Sequence, residues 1–371
     1  MDIGRRLKEA REAIGYTLEK ASEKSGISAP TIWAYENCGT PTGREPKFSQ
    51  LSKLAEVYRK TIEFFFTDEP TIENVMLWRD TPDTEEQMKE TEAEFQQLCE
   101  QYHKLELITG EKRSMKLPQP DVDKPAEFHF PQAESFARRV KDDLCLGDIP
   151  SMSLKRILEE RFYVKIFHLN FSGSAISIKS QFGLAILLNS ANKLWRRNYD
   201  LAHELFHILT WDIFRKTPKS FTASVDEEKL ANAFASVLLM PEDSFKKRIE
   251  SRMDEKGQIS LEQLDDIARE FEVSLDALVY RIANLFRIEK EDTTRYLEAA
   301  KKLAQLHKPR ESDKPKKLPE RYCDLAQRAL REGKLSLMQF AKYMDLSYKK
   351  AQDYIMEDED FTDEKISISV A

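Results

Sequence analysis

The run Tyr199-Asp200-Leu201-Ala202-His203-Glu204-Leu205-Phe206-His207-Ile208-Leu209-Thr210 places two histidines four residues apart in a stretch without glycine or proline. Such a stretch is expected as a helix. At about 100° per residue His203 and His207 then sit one turn apart on one face, where both imidazoles can converge on a single ion. Glu204 lies about 100° round from His203, near enough to hold an ion-bound water without occupying the ion. Ala202, Leu205, Phe206, Ile208 and Leu209 surround the pair with apolar side chains, so the motif should be largely buried. Buried imidazoles need partners, and a metal is the economical one. The pattern predicts a zinc site with His203 and His207 as ligands and Glu204 as general base.

Zinc of this kind needs a third protein ligand and an open position for water. Ser224-Val225-Asp226-Glu227 has capping-box form and opens a helix expected to run to Met240, where Pro241 ends it. Either Glu227 or Glu228 could face the metal, since each heads an apolar stripe. The capping box favours Glu228, because Glu227 is then occupied at the helix start. Asn232, one turn after Glu228, is placed to orient its carboxylate. For a second donor to a developing oxyanion, Tyr199 and Arg197 are candidates by sequence proximity alone, and packing or capping serves them equally well.

The chain has 371 residues, room for two or three domains. Two proline-rich stretches divide it, one from Pro118 to Pro131 and one holding Pro309, Pro315 and Pro319, and both read as extended linkers. Phe95, Leu98, Tyr102 and Leu105 mark an amphipathic helix before the first linker, expected to pack on its own domain rather than in a dimeric coiled coil. From residue 133 the order reads helix, helix, then short strands at Tyr163 to Phe167, Ala175 to Ile178 and Leu184 to Leu188. The last could offer an edge to an extended substrate, or serve as plain core. Helical hairpins follow near Ser260 and Ser274 and again after the second linker, expected as packing units. Six of the eight residues from Glu357 to Glu364 are acidic, a solvated tail.

Acidic residues outnumber basic ones by 65 to 58, which excludes a surface that binds phosphate throughout. No window holds the roughly 18 uninterrupted apolar residues of a bilayer span, and the start lacks a secretion-signal core, so the chain is read as cytosolic. Cys38, Cys99, Cys145 and Cys323 form no CxxC pair and are read as ordinary thiols.

Residues 3–66 read as five short helices, with Thr17 capping the second, Gly26 ending it and Ser28 capping the third. Two helices joined by a tight glycine turn are the hardware that sets a recognition helix into the major groove. Over about 60 residues, including the Gly26-Ile27-Ser28 turn and Tyr35-Glu36-Asn37, this region resembles the Xre/Cro/repressor helix-turn-helix family. The resemblance implies DNA contacts at Ser28, Thr31, Trp33 and Asn37. Leu18, Trp33 and Ala34 stand where that family presents polar groups, and residues 1–66 carry 11 basic against 9 acidic residues, so phosphate attraction is modest. Binding to protein, or to a second copy of the chain, is the competing use of the module.

The strings "RRNYDLAHELFHIL" and "EEKLANAFASVLLMPED" resemble the ImmA/IrrE family of zinc metallopeptidases from about residue 133 to about residue 290. In that family a glutamate four residues before the Asn of the second string completes the metal site, which implies Glu228 here. The resemblance implies a multidomain, mainly α chain with a small β-sheet. Its parts are an all-α helix-turn-helix domain (1–68), a helical connector with proline-rich linker (69–131), and an α+β zincin-like metallopeptidase domain (132–307). A linker (308–319) and a small helical module with an acidic tail (320–371) follow. The expected function is a zinc-dependent regulatory endopeptidase that cleaves a repressor or similar protein, with double-stranded DNA as a partner, no membrane, and a homodimer left open. The alternative is a non-catalytic regulator or antitoxin-like protein that uses the same fold to bind or sense.

Overall fold

A computed structural model describes residues 2–67, 75–111, 115–215, 223–306 and 314–361. Among the described residues the protein is mainly helical with one small sheet. Helices α1 (Ile3–Ala13), α2 (Leu18–Ser25), α3 (Ala29–Glu36) and α4 (Phe48–Val57), with a 3₁₀ turn at Glu63–Phe66, enclose a core built on Leu7, Ile14, Ile32, Tyr35, Leu54 and Phe65. Thr17 caps α2 by accepting from the Lys20 amide at 3.2 Å, and Gly26 ends that helix at φ 69°, a left-handed turn that costs glycine little. Ser28 departs from expectation. It occupies the cap position of α3, but its hydroxyl donates to Thr31 Oγ1 at 2.8 Å and makes no cap bond, Pro30 having already removed one amide donor from the first turn.

The chain then forms β1 (Met76–Arg79) and α5 (Glu85–Ile108), followed by α6 (Phe130–Asp143) and α7 (Ser151–Arg161). Strands β2 (Lys165–Leu169), β3 (Ala175–Ser180) and β4 (Gly183–Asn189) lead into α8 (Leu194–Leu209). The helices α9 (Trp211–Phe214), α10 (Val225–Leu239), α11 (Glu242–Glu250), α12 (Leu261–Glu270), α13 (Leu275–Phe286) and α14 (Lys290–Leu306) complete the middle of the chain. Beyond the second linker come α15 (Glu320–Arg331), α16 (Leu337–Tyr343) and α17 (Tyr348–Phe361). Pro309 and the tail beyond Phe361 lie outside the described residues.

The sheet order is β1-β3-β4-β2, antiparallel except for the β2–β4 pair. Strand β1 falls in the stretch read from sequence as connector; four residues with no alternating pattern gave no signal of it. Strand β4 is central, so its edge cannot take a substrate strand, and the substrate-edge reading of Leu184 to Leu188 is corrected to plain core. Side chains alternate across the sheet. Ala175, Ile186 and Leu188 join the core that holds α8 and α10, whereas Phe167, Ile176, Ile178 and Leu187 face α5 and α15.

The stripe on α5 is thereby accounted for, with a change of partner. Phe95, Leu98, Tyr102 and Leu105 are buried, but against the sheet and the C-terminal helices. Tyr102 meets Phe167 and Tyr322 edge-on at 6.0 and 5.3 Å. The far end of α5 touches the N-terminal helices, with Tyr16 Oη donating to Glu90 at 2.6 Å and Lys20 pairing with Glu86 at 3.4 Å. The first proline-rich stretch is extended only in part, a correction to the linker reading. Pro125–Glu127 form a 3₁₀ turn and Pro131 lies in the first turn of α6, where a missing amide donor costs little, while Leu117 and Phe128 anchor the stretch in the α8–α10 core. In the second, the Lys317 carbonyl accepts from the His168 amide on β2 at 3.1 Å.

Candidate metal centre

Helix α8 runs without a break beneath the sheet and buries every residue from Asp200 to Leu209. His203 and His207 therefore project from one face, as the four-residue spacing dictates, with Nε2 atoms 3.2 Å apart. Helix α10 crosses this face and delivers Glu228, whose two carboxylate oxygens lie 3.1 Å from His203 Nε2 and 3.3 Å from His207 Nε2. Two ring nitrogens and a carboxylate pointing at one another make a donor set for one cation. Among the described residues His203, His207 and Glu228 are the one such group of His, Cys, Asp and Glu. Both histidines are buried and Glu228 is about one-third exposed, so the cluster opens to solvent on the glutamate side.

The charges in the cluster ask for a cation. Burial lowers His203 to about 3, in spite of its bond to Glu228, so this ring is neutral at physiological pH, as a ligand must be. Burial likewise presses His207 down, but its bonds to Glu227 and Glu228 prevail and hold it up at about 9. Burial would raise Glu228, yet the two imidazoles hold it well below the usual carboxylate range. A proton on His207 serves Glu227 and Glu228 while the His203 ring stays neutral, so one proton meets the needs of the cluster only in part. The donor set of two imidazoles and one carboxylate suits zinc and leaves a position open.

Glu204 sits one residue round α8 from His203. It is 1% exposed and both carboxylate oxygens lack a hydrogen-bond partner. Burial pushes its carboxyl up to about 7, opposed by the nearby His207, Ser177 and Arg79. A carboxylate that packing strands in this way costs stability, so its place calls for a use.

The outer contacts differ from those read in the sequence. Asn232 does not orient Glu228; its Oδ1 lies 3.1 Å from His203 Nδ1, because one further turn of α10 carries it past the carboxylate to the histidine. Glu227, assigned from sequence to the helix start, does both jobs. Its amide donates to Ser224 Oγ at 3.1 Å, while its carboxylate lies 2.9 Å from His207 Nδ1 and takes a paired contact from Arg215 at 2.8 to 3.0 Å. A capping box needs the side chain to turn back to the helix start, and here the buried histidine has claimed it. Of the oxyanion-donor candidates, Tyr199 Oη donates to the Asn232 carbonyl at 3.0 Å and the buried Arg197 donates to the Asn192 carbonyl at 2.5 Å, so each already holds backbone.

Sequence reasoning missed Arg79 altogether. Carried on β1, it pairs with the fully buried Asp200 at 3.2 Å and lies over the Tyr199 ring at 5.3 Å. Phe206 packs edge-on against Phe128 at 5.6 Å and tilted against Phe234 at 5.5 Å, behind the site.

The N-terminal candidates divide. Trp33 is 45% exposed and Ser28 also faces outward, whereas Thr31 and Asn37 are half-buried. Asn37 Nδ2 is engaged by the Trp33 carbonyl at 2.8 Å. Of the four, Trp33 presents the largest free surface.

Two families of known proteins match separate parts of the chain. Residues 159–283 match the IrrE N-terminal-like domain family and residues 7–65 match the helix-turn-helix family. The HTH-type transcriptional regulator ImmR of Bacillus subtilis (strain 168) is 36% identical over 64 residues, 17% of this chain. The match spans about half, 47%, of that relative's own length. No solved structure matches. Among the described residues no helix is long and apolar enough to cross a membrane. The chain therefore joins an N-terminal helix-turn-helix domain of the Xre type to an IrrE N-terminal-like domain.

Proposed function

We propose that the protein is a regulatory zinc-dependent endopeptidase whose substrate is a repressor or a similar regulatory protein, brought within reach by the helix-turn-helix domain. One observation carries this reading: the Nε2 atoms of His203 and His207 and the carboxylate of Glu228 converge within 3.3 Å, beside a buried Glu204 that has no hydrogen-bond partner. His203, His207 and Glu228 would hold the ion, and zinc bound there supplies Lewis acidity towards water and a peptide carbonyl.

The chain's own residues do the rest. Glu204, with a carboxyl near 7, is poised to take a proton from the attacking water and to pass it to the leaving amine. Glu227 and Asn232 each face an Nδ1 and so direct the Nε2 of His207 and of His203 into the cluster. The Phe206 layer excludes bulk water from one side, which strengthens every charge interaction within. An extended substrate would add to the outer edge of β1, which pairs with β3 alone among the described residues and carries Arg79 to the site. The ImmR relative is by name a transcriptional regulator, and its likeness is confined to 64 residues, so it supports a regulatory role and says nothing of cleavage.

The test is a Glu204→Gln variant used as bait. It is expected to bind zinc, lose cleavage and retain an uncut protein that the wild type releases as two fragments. A variant as active as the wild type in its regulatory role would instead favour a binding or sensing protein without peptidase chemistry.

A further inference from the structure

Arg79 has no place in the peptidase chemistry, yet it is nine-tenths buried beside the metal cluster. Its register on β1 is fixed by pairing with Ala175 on β3. Strand β1 is locked on its other face by Trp78, whose indole Nε1 donates to Glu92 on α5 at 2.7 Å. Gly173 permits this close approach, since a Cβ there would stand 2.5 Å from the Asp80 carbonyl. With β1 held, Arg79 Nη1 pairs with Asp200 and Nη2 donates to Asn232 Oδ1 at 3.5 Å. The same Oδ1 faces His203 Nδ1 at 3.1 Å.

We propose that Arg79 is a positioning residue that sets which end of the Asn232 amide faces His203, and through it which nitrogen of that imidazole is free to ligate. This rests on the metal-centre reading. An asparagine side chain offers oxygen on one side and NH₂ on the other. Asn232 is exposed, so packing does not choose between them. A guanidinium can only donate, so it holds the oxygen towards itself and towards His203. Nδ1 must then carry the proton, and Nε2 keeps its lone pair for the cation. Turned over, the amide would donate to Nδ1 and move the proton to Nε2, where it blocks ligation.

The test is zinc affinity by chelator competition on the full chain, in a double-mutant cycle of Arg79→Met and Asn232→Ala. Arg79→Met is expected to weaken zinc binding by about tenfold in the wild-type background and not to weaken it when Asn232 is already alanine. The direction discriminates, because removing a positive charge near a cation site would by itself tighten binding. Arg79→Lys, which still donates, is expected to restore most of the affinity. Equal effects of Arg79→Met in both backgrounds, or no weakening in the first, would overturn the proposal. If Arg79→Met does not fold, proton NMR of the zinc-loaded wild type decides: a slowly exchanging His203 Nδ1 proton that vanishes in Asn232→Ala supports the assignment, and its absence overturns it. A wild type that takes up no zinc sinks the metal-centre reading and this proposal together, whereas a zinc-binding wild type with a flat cycle sinks this one alone.

Discussion

His207 Nδ1 lies 2.9 Å from the Glu227 carboxylate, and Arg215 grips that carboxylate from its other side. A carboxylate held in this way fixes the orientation of the imidazole and raises its basicity as a ligand. Replacing Glu227 with Gln keeps the shape and removes the charge. Zinc affinity measured by chelator competition is expected to fall by about 10- to 100-fold, with Arg215→Ala producing a smaller loss in the same direction. Unchanged affinity in Glu227→Gln would show that the contact serves the fold alone.

Phe206 is fully buried among Phe128, Phe214 and Phe234. Truncation there leaves a cavity behind α8. Phe206→Ala should destabilise the protein by about 3–5 kcal/mol in denaturant unfolding, whereas Trp195→Ala, partly exposed on the first turn of the same helix, should cost far less. Equal losses would mean that the aromatic layer does not hold the site.

His168 on β2 gives the fold an acid sensitivity separate from the cluster. Burial foremost, then the charges of Lys155 and Arg197, lower its pKa to about 3. The unfolded chain would protonate it near 6.5. Between those values the unfolded state binds the extra proton, so stability falls as pH drops below about 6.5 and this contribution is fully spent near 3. Melting temperature followed from pH 7.5 to 5 is expected to decline less steeply in His168→Asn than in the wild type. Parallel slopes would assign the acid sensitivity to other groups.

For the N-terminal domain the exposed side chain to change is Trp33. If α3 meets double-stranded DNA, Trp33→Ala should abolish retention on DNA at low salt without altering the melting curve, and wild-type retention should fall as salt rises. No retention of the wild type at low salt would leave protein binding as the use of this surface.

The legibility of the fold followed pattern strength. The breaker-free run of α8 with its four-residue histidine spacing, and the capped, Pro241-terminated pattern of α10, located both helices and put His203 and His207 on one face, whereas the apolar stripes of α10 fitted Glu227 and Glu228 equally and did not choose between them. Strand β1 escaped notice since four residues, Met76 to Arg79, carry too little pattern to stand out, although Arg79 reaches the site from it. The contacts of Glu227 and Asn232 were misassigned for a related reason: local capping rules see neighbours in sequence, while the partners of both side chains are histidines on another helix. The stripe of α5 predicted burial correctly and could not name its partner, which is a sheet formed some sixty residues later and a helix pair later still.

The central claim is that one divalent ion joins α8 to α10 at His203, His207 and Glu228. Zinc per chain, measured by elemental analysis after equilibration with excess metal and desalting, tests it most directly. One equivalent is expected in the wild type and in Glu204→Gln, and strong loss in His203→Ala and Glu228→Ala. A wild type that retains no zinc, or a Glu228→Ala variant that keeps a full equivalent, would contradict it.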